Sequence, residues 1–148
     1  MGMYTEFVFG AGIKRELTWT ELTALKWIGG DPTVTWERAA HAGDLLNHPF
    51  FRTERWRMIG HCSSYYFGYS DSHTKIHFDD ISHEWLLSFR CSLKNYDSEI
   101  EKFIDWVRPL VADGSGDIDF LGYSMYEGSE LPPNLYYLRE EDVLLPRL

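Results

Sequence analysis

Cysteine is scarce in this chain: Cys62 and Cys91 are the only two in 148 residues. A secreted domain stapled by a disulfide framework would carry more, so that class is excluded. Long apolar runs are absent too. No stretch approaches the roughly 20 residues that cross a bilayer as a helix. Basic charge is in deficit, with 14 Lys/Arg against 23 Asp/Glu and a formal net charge of −9. The deficit is local. Residues 1–96 hold 10 basic and 11 acidic side chains, a net of −1, whereas residues 97–148 hold 4 and 12, a net of −8. An acidic C-terminal third repels phosphate backbones, which argues against direct nucleic-acid binding. It would attract a basic protein surface, or serve solubility alone. No secretory pattern opens the sequence, since Met1-Gly2-Met3-Tyr4 leads straight into a strand pattern. With no disulfide set and no membrane span, the expected location is the cytoplasm. Repeats, linkers and low-complexity tracts are also lacking.

What is present is an ordinary hydrophobic fraction, 44%, with six Trp, nine Tyr and nine Phe. A chain of this length can bury a sizeable core without a metal or disulfide, and the expectation is one domain over residues 1–148. The first strand is predicted from Tyr4 to Ile13, with Thr5, Phe7, Phe9, Ala11 and Ile13 on one face and Gly10 and Gly12 on the other. Thr18-Trp19-Thr20-Glu21 is a capping box that starts a helix. Leu22, Leu25 and Ile28 form its apolar stripe, and Gly29-Gly30 ends it. A short helix is predicted over Thr35–Leu46. Alternation then predicts a second strand over Thr53–Ser63, with Trp56, Met58, Gly60 and Cys62 facing one way and Arg55, Arg57, Ile59 and His61 the other. A short strand is expected near Lys75–Phe78 within a broad loop. The third main strand is Glu84–Lys94, where Trp85, Leu87, Phe89, Cys91 and Leu93 alternate with polar neighbours. Asp97 or Ser98 would cap a second helix with Ile100, Phe103, Ile104, Val107 and Leu110 as its stripe. Strands over Ile118–Tyr126 and Leu135–Leu138 follow. The fold class is therefore α+β: a ferredoxin-like βαββαβ sandwich, an antiparallel sheet with helices on one face and an extra C-terminal strand.

The run Cys91-Ser92-Leu93-Lys94-Asn95-Tyr96-Asp97-Ser98-Glu99-Ile100-Glu101-Lys102-Phe103-Ile104-Asp105-Trp106, with Tyr4-Thr5-Glu6-Phe7 and His48-Pro49-Phe50-Phe51, resembles a family of small uncharacterised proteins of bacteria and their phages. The resemblance extends over most of the chain, with residues 31–46 reading as an insertion. No catalytic motif comes with it, so no functional residue carries over. It implies an accessory role, in which such proteins bind host or phage components.

Several residue groups could carry chemistry. Asp71, His73, His77, Asp79, Asp80 and His83 fall within thirteen positions. His73, His77, Asp79 and His83 are the metal-ligand candidates, but two residues four apart on a strand are separated by roughly 13 Å. No cofactor is implied. Cys62 and Cys91 face inward on their strands, where a free thiol is a small buried hydrophobe. His61 precedes Cys62 but points to the opposite face, which argues against a dyad. Arg55 and Arg57 share a strand face in this reading and could grip a phosphate or carboxylate together, or pair with the acidic C-terminal third. Glu99, Glu101 and Asp105 read as a solvated helix face. The sheet face away from the helices offers Leu86 and Arg90 beside Arg55 and Arg57, bordered by Tyr65, Tyr66 and Phe67. That mixture suits a transient interface. The expected function is a non-enzymatic protein-binding accessory, an inhibitor, immunity factor or regulator, whose partner is another protein or a second copy in a homodimer. The alternative is a small-ligand or metal-dependent enzyme, with a pocket between the helix-free sheet face and residues 64–83.

Overall fold

The computed structural model describes residues 4–35, 37, 47–61, 73–113 and 119–139. Five strands and two α-helices make up its regular structure: β1 Thr5–Ile13, α1 Trp19–Ile28, β2 His73–Asp79, β3 Glu84–Leu93, α2 Glu99–Val107, β4 Phe120–Tyr126 and β5 Asn134–Tyr137. The strands form one sheet in the order β2-β3-β1-β4-β5, with every neighbouring pair antiparallel. The chain is thus of mixed α and β structure. No helix among the described residues is long and apolar enough to cross a membrane.

Strict alternation makes β1 and β3 what they are. Phe7 pairs with Cys91 and Phe9 with Phe89, which places all four on one face. These residues are fully or nearly fully buried, as are Ile13, Leu87 and Leu93. Both helices cover this face. Leu25 and Ile28 of α1, and Ile100, Phe103, Ile104 and Val107 of α2, complete the core. Phe103 is its hub, with ring centroids 5.9 Å from Phe7, 5.2 Å from Phe9, 5.7 Å from Phe89 and 5.4 Å from Phe50. Each such pair adds a directional ring contact to the area that it buries. The capping box of α1 forms as its sequence predicts: Glu21 N donates to Thr18 Oγ1 at 3.1 Å, and Thr18 N to Glu21 Oε1 at 3.0 Å. The left-handed residue that ends α1 is Gly30, at φ 79°, while Gly29 keeps a negative φ.

The predicted second strand over Thr53–Ser63 is a correction. Residues Pro49–Arg52 and Trp56–Met58 form short 3-10 turns instead. Phe50, Phe51, Thr53, Trp56 and Ile59 are buried there. Four of them, Phe50, Thr53, Trp56 and Ile59, lie three positions apart, near the 3-10 period rather than the strand period of two, and Phe51 is buried beside Phe50. The edge place in the sheet goes to β2, longer than the short strand expected near Lys75–Phe78 and paired with β3 from His73↔Arg90 to Asp79↔Glu84. The helix predicted over Thr35–Leu46 lies almost wholly outside the described residues.

At β4 the register shifts between Phe120 and Gly122. Gly122 has φ 152°, and a Cβ there would stand 1.9 Å from the carbonyl oxygen of Val8. Only glycine lets β4 approach β1 so closely at this irregularity.

Candidate functional site

The register of the sheet fixes what its helix-free face presents. One row runs across all five strands: His73, Arg90, Val8, Tyr123 and Leu135. On one side of it lie Glu6, Ser92 and Met125. On the other lie Lys75, Ser88 and Gly10, then His77, Leu86 and Gly12. Leu86, Val8 and Tyr123 are half-buried, whereas Met125 and Leu135 are exposed. The Glu84 carboxylate lies over Gly12, where a Cβ would stand 2.9 Å from Glu84 Oε1 and would require that side chain to swing aside.

A polar network crosses this face. Arg90 Nε donates to Glu6 Oε1 at 2.9 Å, and Tyr123 O–H donates to the same oxygen at 3.0 Å. The Glu6 side chain is only 11% exposed and that of Arg90 21%, so water screens this pair less than an ordinary surface pair. Burial first, then the hydrogen bond and charge of Glu6, push the Tyr123 phenol above its usual range, against the pull of Arg90. The phenol therefore stays a proton donor at neutral pH. The arrangement ties three side chains of β1, β3 and β4 together on a face that also carries His73, Lys75, His77, Val8, Leu86 and Met125.

Arg55 and Arg57 do not join that face. They lie in the 3-10 region beside α2, so the shared strand face expected of them does not exist. Arg57 lies over the Trp56 ring, 5.3 Å from its centroid. Arg55 lies over Tyr96, at 5.2 Å, with its Nη1 3.8 Å from Glu99 Oε2. Glu99 is fully buried, which overturns its reading as part of a solvated helix face. Its Oε2 accepts from the Arg55 amide at 3.1 Å and its Oε1 from the Asp97 amide at 3.0 Å. Ser98 occupies the N-cap position of α2 but makes no side-chain cap. Asn95 Oδ1 takes over, accepting from Ile100 N at 2.8 Å.

His48 and Asp105 form a pair that sequence reading missed, at 3.0 Å. It resembles the base of a catalytic site but cannot act as one. Nδ1 of His48 already accepts from the Phe50 amide at 3.1 Å, so Nε2 carries the proton and donates to Asp105. Both nitrogens are committed, and the residue ties the first 3-10 turn to α2. His61 packs on the Trp27 ring at 4.2 Å, with its Nε2 buried and without a hydrogen-bond partner among the described residues. Cys91 is fully buried. Cys62, Tyr65, Tyr66, Phe67 and Asp71 lie outside the described residues.

The metal candidates are not gathered. His73, His77 and Asp79 project from successive positions along β2, and His83 occupies a turn at φ 58°. Among the described residues no group of three or more His, Cys, Asp or Glu side chains could hold an ion. Asp79 instead caps its own turn, accepting from Ile81 N, Ser82 N and Ser82 Oγ. Those bonds, that from Ser82 Oγ first, hold its carboxyl below the usual range. An open groove of about 540 Å³ does occur near this hairpin, lined by Arg15, Phe78, His83, Glu84 and Trp85. Comparison with protein-family profiles, with curated proteins and with solved structures finds no match for this chain.

Proposed function

We propose that the chain is a non-enzymatic protein-binding accessory, of the inhibitor, immunity or regulator kind, and that a folded protein partner sits on the helix-free sheet face. One observation carries this reading: the face spans five strands and sets the exposed Met125 and Leu135 and the half-buried Val8 and Leu86 around the Glu6–Arg90–Tyr123 network. Such a blend of apolar and polar area matches the composition of non-obligate interfaces. A rigid polar network gives register and specificity, while the apolar residues supply area. The resemblance to proteins of bacteria and their phages and a cytoplasmic location fit the same role. The finer, ferredoxin-like reading of the fold belongs with it: β2, β3, β1 and β4 lie in that plan's spatial order, and β5 is an addition at the β4 edge. Leu86→Asp/Met125→Asp should fold normally by circular dichroism yet lose the partner that wild type recovers in a pull-down from the native host. Equal recovery by both would overturn the reading.

The alternative, a small-ligand site, draws on the groove by the β2–β3 hairpin. Arg15 and Glu84 both line it without pairing with each other, above the Phe78 and Trp85 rings. Its volume is in the range of small-molecule sites, but it is open rather than enclosed. A thermal-shift screen in which Arg15→Ala abolishes a ligand response would favour it.

A further inference from the structure

The two edges of the sheet are unlike. β5 spans only Asn134–Tyr137 and follows Pro132-Pro133, which are devices that blunt an edge against further pairing. β2 is seven residues long, His73-Thr74-Lys75-Ile76-His77-Phe78-Asp79, with no Pro or Gly. Its inner side pairs with β3, and no described residue pairs with its outer side. Lys75 is its only charged gatekeeper on that strand interior. Phe78 is 44% exposed although it belongs to the helix-covered face.

We propose that β2 pairs antiparallel with β2 of a second copy, about a two-fold axis at Ile76, joining the two sheets edge to edge. The sequence is self-complementary in that register. Ile76 meets Ile76 of the second copy, Thr74 meets Phe78, and His73 meets Asp79, each of the last two pairs occurring twice by symmetry. These are an aliphatic pair, β-branched–aromatic pairs and imidazole–carboxylate pairs, the combinations that stabilise neighbouring strands. Lys75 faces His77, the one pairing without attraction. Each pair joins residues of the same sheet face, so the helices of both copies stay on one side. The isologous arrangement closes on itself and uses up both β2 edges. It covers Phe78, the exposed aromatic on an otherwise covered face, and leaves the helix-free surface free for a different partner. The β2 backbone is held ready for this. Thr74 Oγ1 donates to the Ile28 carbonyl at the end of α1, at 3.1 Å, and the Asp79 turn is fixed by its own three hydrogen bonds.

Sedimentation velocity on the full chain, from low micromolar to millimolar concentration, tests this directly. A reversible monomer–dimer equilibrium is expected. Phe78→Glu removes two symmetry-related pairs and should weaken the dimer about tenfold or more. Register is read by crosslinking in a Cys62→Ser background. Two residues on the axis have Cα atoms about 4.5–5.5 Å apart, within disulfide reach. Ile76→Cys should therefore give an oxidised covalent dimer, and Lys75→Cys far less. Should Ile76→Cys fail to fold, Thr74→Cys/Phe78→Cys gives the same readout. A monomer at every concentration overturns the proposal. So does a dimer that Phe78→Glu leaves intact, or equal crosslinking by Ile76→Cys and Lys75→Cys.

Discussion

Glu99 shows what a single side chain does when it is taken out of water. Its carboxylate serves two backbone amides and lies near one guanidinium, and it links α2 to a segment that comes far earlier in the chain. Glu99→Ala should cost on the order of 3 kcal/mol, since buried donors lose their acceptor. Glu99→Gln keeps one carbonyl oxygen and should cost less, which paired urea melts will show. His61 makes a prediction in pH. Burial against Trp27 holds its imidazole below the ordinary value of 6.5, opposed by a hydrogen bond with the Trp27 backbone. The unfolded chain therefore takes up the proton first. Stability from this residue is full above the unfolded value and is lost as pH falls through the folded one. Between about pH 7.5 and about pH 5.5 the urea midpoint of wild type should fall, and His61→Phe should flatten that part of the curve. An unchanged slope would remove His61 as the cause. Neither residue's role was legible in the sequence. An acidic residue in the first turn of a helix reads as solvated, and only the arrival of Arg55 beside it makes it buried.

At the scale of elements, the helix hub and the sheet end make a contrast. Phe103 is fully buried among five rings, so Phe103→Ala should cost roughly 3–5 kcal/mol. Trp85 has the same inward alternation in the sequence but is only half-buried, with Lys26 over its ring at 4.7 Å. Trp85→Ala should cost less than half as much, as differential scanning calorimetry of the pair can check. Elements with a clean period were readable: β1 and β3 by twos, α1 by its capping box, and α2 by its apolar stripe. The segment over residues 49–59 was not, because a three-residue period in a short window resembles broken alternation. β2 was underestimated for another reason. As an edge strand it buries neither face fully, so its polar side chains hide the pattern. The candidate surface was half legible. Leu86 and Arg90 lie where alternation on β3 puts them, but Tyr123, Met125 and Leu135 join them only through the register of β4 and β5. Arg55 and Arg57 fell away with the strand that was to carry them.

At the scale of the whole molecule, the acidic third and the sheet have separate consequences. The net charge of −9 should make capture of a basic partner fall with added salt, whereas contacts of the apolar sheet face should respond far less. A salt series on the pull-down therefore separates charge steering from surface burial. The central position of β1 bears on how the chain comes into being. Both of its neighbours are made much later, since Phe7 waits for Cys91 on one side and Ser124 on the other. During synthesis the Phe7, Phe9 and Ile13 side chains have no sheet to join until β3 emerges, and that sheet stays incomplete until β4 emerges. Ribosome-bound chains stalled before β4 should remain open to protease and attractive to chaperones, and those stalled well past Tyr126 should become resistant. The strand that leads the chain is the last to be enclosed.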